Sequence, residues 1–147
     1  MENEVRSKKG NVFLGGPISN AIRKNVFDKK IENDIRNVYE KLKNKGYEVL
    51  SAHIIEEFGK KPPCVEEMFG IDISWIDEAE SAVFILSYNE KKRLPRTDGS
   101  YIEIGICYAK GIPITIISDA PREKFPTMLR SMIDNNEVKF ITFDKFY

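Results

Sequence analysis

Five short apolar runs alternate with four amphipathic segments along this chain. The apolar runs have the length of buried strands and lie at 11–16, 47–51, 82–87, 113–118 and 138–143. The amphipathic segments carry apolar residues at helical spacing and lie at 27–45, 65–79, 100–110 and 128–134. Strands that alternate with helices predict right-handed crossovers and a parallel sheet. We therefore expect an α/β protein with a flavodoxin-like (Rossmann-like) three-layer fold and a five-stranded parallel sheet.

The same pattern predicts a simple domain organisation. Residues 1–10 are polar and are expected to form a flexible arm, and residues 11–147 are expected to form one domain. The sequence has no internal repeat, low-complexity tract or change of composition that would indicate a second domain.

Composition and charge exclude several classes of function. Basic and acidic residues both number 23, so the formal net charge of zero argues against general nucleic-acid binding. The sequence has neither an apolar run long enough to cross a bilayer nor the apolar core of a signal peptide, so we expect a cytoplasmic protein without membrane attachment. Cys64 and Cys107 are expected to be reduced, and with one histidine they predict no zinc site. We expect no metal or cofactor, so chemistry falls mainly to carboxylates, hydroxyls and the backbone.

In a sheet of this kind, ligands bind beyond the carboxyl ends of the strands, where the strand order reverses. A ligand is therefore expected at the loops 15–26, 52–64 and 88–100. The first contains Gly15, Gly16, Ile18 and Ser19, whose backbone N–H groups are typical of an anion or sugar-hydroxyl site, with Arg23 as a phosphate clamp. The alternative is a tight turn with solvated basic residues, because the loop lacks the GxGxxG fingerprint.

Two carboxylates have informative positions. Asp72 shares a helix face with Met68, Phe69 and Ile76, so it lies within an apolar stripe, where a carboxylate needs a partner or a cavity. Glu103 follows Ser100 at the start of a helix, and this spacing is typical of a capping box. The same position would place Glu103 at the mouth of a site, and both interpretations remain open at this point.

Several stretches occur in an order and spacing that resemble a known family. They are 12–18, 52–54, 72–76 with Ala79, 99–105 with Tyr108 and Ala109, and 129–133. Together they resemble the nucleoside 2-deoxyribosyltransferase superfamily over about residues 11–146. The similarity is greater to its nucleotide N-hydrolase branch, which includes the 2'-deoxynucleoside 5'-phosphate N-hydrolases and the cytidylate N-glycosidases.

The resemblance implies a different catalytic role for each of the two carboxylates. Glu103 would attack the anomeric carbon of the sugar and form a glycosyl-enzyme, which water would then hydrolyse. Asp72 would protonate the departing base or guide the water.

The resemblance also implies which residues bind the substrate. Backbone groups of Gly15, Gly16 and Ile18 would line the sugar and base, and His53 and Trp75 would shape the base pocket. Taken alone, those two side chains are more typical of structural packing. Ser131 would reach the phosphate in the neighbouring subunit, which implies a homodimer with shared sites. The remaining candidates for substrate contact are Ser19, Arg23, Thr97, Gly99, Ser100 and Met132.

Thr97 favours one reaction within the superfamily. The transferases have an aspartate six residues before the catalytic glutamate, whereas the nucleotide hydrolases have a serine there. A hydroxyl can donate to a 5'-phosphate that a carboxylate would repel. The expected function is therefore hydrolysis of the N-glycosidic bond of a nucleoside 5'-monophosphate (a pyrimidine such as CMP or a modified CMP, or a deoxynucleotide) to free base and (deoxy)ribose 5-phosphate. The alternatives are base exchange between deoxynucleosides and a non-catalytic nucleotide-binding module.

Overall fold

The computed structural model describes residues 9–147, so the predicted arm at 1–10 lies outside the described residues except for Lys9 and Gly10. The first half of the described chain runs through β1 (Asn11–Gly15), β2 (Ile22–Arg23), β3 (Val26–Phe27), α1 (Lys29–Asn44), β4 (Glu48–Ser51), α2 (Ala52–Ile55) and α3 (Val65–Glu78). The second half contains β5 (Ser81–Ile85), α4 (Asp98–Ala109), β6 (Ile114–Ile117), α5 (Thr127–Asp134), β7 (Lys139–Ile141) and α6 (Phe143–Phe146).

The main sheet has five parallel strands in the order β4-β1-β5-β6-β7. This is the doubly wound order of flavodoxin-like proteins, and it confirms the predicted fold class. The chain leaves β1 toward β4 on one side, and β5 lies on the other side of β1. The loops after β1 and β5 therefore separate and leave a crevice at their carboxyl ends.

The two faces of the sheet are buried against different helices. Phe13 and Phe84 lie in a core that also contains residues of α3, α4 and α5. Their strand neighbours Leu14 and Val83 belong to the opposite core, which contains the apolar face of α1. Alternate residues of one strand point to opposite faces, so the near-continuous apolar runs are explained by burial on both sides.

Local signals set the start of α1. The Asp28 side chain caps the helix by accepting a hydrogen bond from the backbone N–H of Ile31 at 3.1 Å. The other Oδ of Asp28 accepts from the backbone N–H of Glu90, so the same carboxylate also anchors the loop after β5. One side chain thus connects the first helix to the edge of the sheet where ligands are expected.

The structure adds short elements to the predicted pattern. The stretch 17–26, interpreted as a loop, contains a 3-10 turn at Ser19–Ala21 and the β2–β3 hairpin. The four-residue helices α2 and α6 also lie in segments with no predicted helix. Elements of two to four residues are too short to show a hydrophobic period, which is why the pattern did not indicate them.

Candidate active site

A cleft of about 230 Å³ lies at the carboxyl edge of the sheet, between the loop after β1 and the start of α4. It is lined by Gly16, Ile18, Ser19, Asn20, Asp72, Arg96, Thr97, Asp98, Gly99, Ser100 and Glu103. The structure thus brings both predicted catalytic carboxylates together with half of the predicted binding residues. A groove of about 610 Å³ beside the β2–β3 hairpin is larger but contains neither carboxylate, so its size does not decide the location of the chemistry.

The two glycines allow the first loop to run close to the sheet. A Cβ atom on Gly15 would lie 2.7 Å from the Phe84 ring, and one on Gly16 would lie 2.8 Å from the Ile85 carbonyl oxygen. Both distances are too short for a side chain, so only glycine lets β1 turn into the cleft along this path. The backbone from Gly16 to Ile18 then borders the cleft.

His53 supports this loop from behind. Its side chain is fully buried and contacts the rings of Phe27 and Phe58. Nε2 lies 3.0 Å from the Pro17 carbonyl oxygen, which accepts a hydrogen bond when that nitrogen carries the proton. Burial lowers the pKa of His53 to about 4, so the ring is neutral at physiological pH. In the structure His53 holds the position of the loop and does not line the cleft.

Asp72 and Glu103 form a hydrogen-bonded carboxyl pair across the cleft. Asp72 lies in the middle of α3 and Glu103 in the second turn of α4, and both helices pack on the same face of the sheet. Burial, the charge of Asp72 and the shared hydrogen bond raise the pKa of Glu103 to about 8. Burial also raises the pKa of Asp72, and the hydrogen bond from Glu103 opposes that increase.

These pKa directions define a protonation state for the pair. At neutral pH, Glu103 carries the proton and donates it to the Asp72 carboxylate. The two carboxyls therefore hold one proton between them, and they titrate as a pair. One acid and one base, in direct contact, are what cleavage of a bond by a nucleophile and a general acid requires.

The start of α4 differs from the capping box considered for Ser100 and Glu103. The N-cap is Thr97, whose side chain makes no capping hydrogen bond, and Ser100 lies inside the helix. Glu103 therefore does not reach back to the N-terminus, and the capping interpretation is wrong. The Thr97 and Ser100 hydroxyls are both buried and lie 2.5 Å apart, beside the open N–H groups of the first helical turn.

The loop after β5 is fixed by its own polar side chains. The Asn89 side chain accepts hydrogen bonds from the backbone N–H groups of Lys91 and Arg93. Asn20 donates to the Arg96 carbonyl oxygen at 2.8 Å and so joins the first loop to this one over the cleft. Arg96 forms an exposed ion pair with Asp98, which lies at the rim.

Six of the predicted binding residues do not line this cleft: Gly15 and His53, described above, and four others. Arg23 is exposed on β2 and lines a separate groove of about 190 Å³. Trp75 packs against the core under α3. Ser131 is exposed on α5, and Met132 packs partly against the core. Within one chain, none of the four lines the cleft that contains the carboxyl pair.

Four residues near the pair were not predicted. Asn20, Arg96 and Asp98 line the cleft, and Glu56 lines a smaller adjoining cavity. Asn20 and Arg96 lie in loops at which a ligand was expected, but nothing in the pattern distinguished them from solvated loop residues. Glu56 ends the short helix α2, whose existence the pattern did not indicate.

Two features are absent from the described residues, 9–147. They contain no group of three or more histidine, cysteine or acidic side chains that could hold a metal ion. They also contain no helix with the length and apolar character to cross a membrane.

Comparison with solved structures gives significant matches over nearly the whole chain. The CMP N-glycosidase BcmB of Clostridium botulinum superposes with a TM-score of 0.62 at 19% identity, covering 91% of this chain and 89% of that one. BlsM gives a TM-score of 0.70 at 23% identity, covering 90% and 80%. A 2-deoxyribosyltransferase of Bacillus psychrosaccharolyticus gives a TM-score of 0.59 at 15% identity, covering 89% and 84%.

These matches establish a shared fold. At 15–23% identity they show that this chain has the fold of these proteins, and the superfamily resemblance of the sequence motifs stays a prediction. Neither the protein-family models nor the curated proteins give a sequence match.

Proposed function

We propose that the protein is a nucleotide N-glycosidase that hydrolyses a nucleoside 5'-monophosphate to free base and a sugar 5-phosphate. The observation that carries this proposal is the Asp72–Glu103 pair, which holds one proton in a cleft at the carboxyl edge of the sheet. The similarity in fold to BcmB, a CMP N-glycosidase, supports it.

The first step uses both carboxyls. The shared proton moves along the hydrogen bond from Glu103 to Asp72, which makes Glu103 an anionic nucleophile. A Glu103 oxygen then forms a bond to C1' of the sugar while the C1'–N bond breaks. The electron pair of that bond leaves with the base, and Asp72 gives the base its proton.

The second step regenerates the enzyme. A water molecule enters the position vacated by the base and attacks C1', and the ester bond to Glu103 breaks. Asp72 takes a proton from the water, so the pair again holds one proton. A hydrogen-bonded carboxyl pair leaves no room for a water molecule between its members, and inverting glycosidases need such room. The arrangement therefore favours double displacement.

The 5'-phosphate is assigned to the start of α4. The N–H groups of its first turn and the positive end of the helix dipole attract an anion. The buried hydroxyls of Thr97 and Ser100 can rotate to donate to phosphate oxygens. Arg96 pairs with Asp98 at the rim and so partly offsets its negative charge. This hydroxyl-lined end supports a nucleotide in preference to a free nucleoside.

The functional form is proposed to be a homodimer. Phe69 on α3, Ile102 on α4 and Met128 on α5 are large apolar side chains that are exposed in one chain. Ser131 is exposed on the same α5 and would be free to reach the phosphate in a partner's cleft. Light scattering is expected to give twice the chain mass, and Met128→Glu should reduce it to one chain. A monomeric wild type with full activity would contradict this proposal.

A substrate panel tests the reaction. Purified protein is incubated with ribo- and deoxyribonucleoside monophosphates, and free base is measured by chromatography. We expect release of base without any acceptor present. A second base added to the assay distinguishes the alternative, because a deoxyribosyltransferase would convert it into a new nucleoside. Saturable binding with no turnover of any nucleotide would instead indicate a binding module and would refute the hydrolase.

A further inference from the structure

A second, smaller cavity opens from the catalytic cleft on the side of α2. It has a volume of about 100 Å³ and shares Ile18, Ser19 and Asp72 with the main cleft. Because Asp72 belongs to both, a group bound at the carboxyl pair can extend directly into the smaller cavity. Any substrate with its anomeric carbon at Glu103 therefore has this cavity next to its leaving group.

Beyond the residues shared with the main cleft, the walls of this cavity are apolar apart from one side chain. Ala52, Pro63, Met68 and Ile71 supply apolar surface, and Glu56 supplies a carboxyl group. Beyond the shared residues Ser19 and Asp72, the cavity has no other polar side chain. Such a cavity suits a flat apolar ring whose outer edge carries a hydrogen-bond donor.

Two hydrogen bonds fix the Glu56 backbone. Its N–H donates to the Ala52 carbonyl oxygen at 2.8 Å, and its own carbonyl accepts from the Lys61 N–H at 2.9 Å. Among residues 9–147, the structure shows no hydrogen bond or ion pair of the Glu56 side chain. Burial, and to a lesser extent the charge of Asp72, raises the pKa of Glu56.

This environment gives Glu56 a preference among ligands. A half-buried carboxylate beside another carboxylate is stabilised by a group that donates N–H and is destabilised by one that presents an oxygen. The amino and oxo forms of a pyrimidine differ in this respect at one ring position. Cytosine offers an amino group where uracil offers a carbonyl oxygen.

We propose that Glu56 determines base specificity by accepting a hydrogen bond from the amino group of a one-ring aminopyrimidine bound in this cavity. The inference rests on the proposed function, since it assumes that a base occupies the space beside Asp72. The small volume favours a single ring. The Glu56 carboxylate, a hydrogen-bond acceptor in the cavity wall, favours a pyrimidine with an amino group over one with an oxo group.

The test compares matched amino and oxo substrates. We measure kcat/KM for CMP against UMP and for dCMP against dUMP, in wild type and in Glu56→Gln. A hydrogen bond to a charged group predicts that wild type favours the amino substrate by about tenfold or more. Glutamine presents both a donor and an acceptor, so Glu56→Gln should lose most of this preference by losing activity on the amino substrate.

A neighbouring glutamate supplies the control. Glu57 is exposed and pairs with Lys61 at 3.0 Å, outside the cavity, so Glu57→Gln should keep the wild-type ratio. Thermal unfolding of both variants checks that they are folded. A wild-type preference for the oxo substrates, or an unchanged ratio in Glu56→Gln, would overturn the role of Glu56.

The experiment separates this inference from the proposed function. If no nucleotide releases its base, the proposed function fails. The ratio of dissociation constants for CMP and UMP, measured by calorimetry in wild type and Glu56→Gln, then decides the role of Glu56 independently. A ratio that favours CMP in wild type and collapses in the variant supports it, and equal ratios refute it.

Discussion

Replacing Glu103 by glutamine should stabilise the protein at alkaline pH, because the wild-type carboxyl is held in a place where its ionised form is unfavourable. Burial and the neighbouring Asp72 raise the pKa of Glu103 from 4.5 to about 8. The unfolded chain releases this proton near pH 4.5, whereas the folded chain retains it until about pH 8. The unfolded state binds fewer protons in this interval, so the stability contributed by Glu103 falls as pH rises.

The size of the effect follows from the interval between the two pKa values. Each pH unit corresponds to about 1.4 kcal/mol, which sets a ceiling of about 5 kcal/mol for the loss of stability. Glu103 is not fully buried, so solvent screening lowers this figure and we expect about 3 kcal/mol. Glutamine cannot ionise and can still donate to Asp72, so Glu103→Gln should avoid the loss.

Urea denaturation between pH 4 and pH 9 measures this difference directly. The free energy of unfolding of Glu103→Gln should match that of wild type at pH 4 and exceed it by about 3 kcal/mol at pH 9. Glu66→Gln is the matched control, because Glu66 is exposed on α3, and it should stay within about 0.5 kcal/mol of wild type. Equal stabilities at pH 9, or a less stable Glu103→Gln, would refute the assigned protonation state.

Three further predictions concern the pH profile and the residues around the pair. The kcat/KM for base release should fall above pH 8, where Glu103 loses the shared proton, and a rate that keeps rising to pH 10 would contradict this. In the unfolded chain His53 takes up a proton below pH 6.5, whereas in the folded protein the buried ring takes it up only near pH 4. The free energy of unfolding should therefore decrease by up to about 3 kcal/mol as the pH falls through this interval. Urea denaturation of His53→Phe should show no such decrease. Thr97→Asp should lower kcat/KM for a monophosphate by at least about tenfold, because the carboxylate repels the phosphate. Thr97→Ser keeps the hydroxyl and should have a kcat/KM near that of wild type. Equal effects of the two changes would argue against a phosphate at the start of α4.

The sequence was most informative where elements are long and buried on a defined face. The strands β1 and β5 were predicted because apolar runs of this length indicate burial on both faces, and their carboxyl ends identified the loops that form the cleft. Asp72 was singled out because a carboxylate within an apolar stripe needs a partner. The structure supplies that partner in Glu103, on a different helix.

The sequence was least informative where position depends on short elements or on partners distant along the chain. Arg23 was predicted to clamp a phosphate because it follows the glycine loop, but the β2–β3 hairpin carries it to another groove. The capping box failed because the helix begins at Asp98, so Ser100 lies inside it. Glu56 has no motif, and only the structure reveals that it lines a cavity together with residues of α3.

The most direct test of the account is the rate of base release by Glu103→Ala compared with wild type on the nucleoside monophosphates that wild type cleaves. The mechanism requires a bond between a Glu103 oxygen and C1', so the variant should release no base above the background rate. Rapid quenching of wild type should yield a protein heavier by one sugar phosphate, with the added mass on the peptide that contains Glu103. Release of base by Glu103→Ala at the wild-type rate would contradict the account.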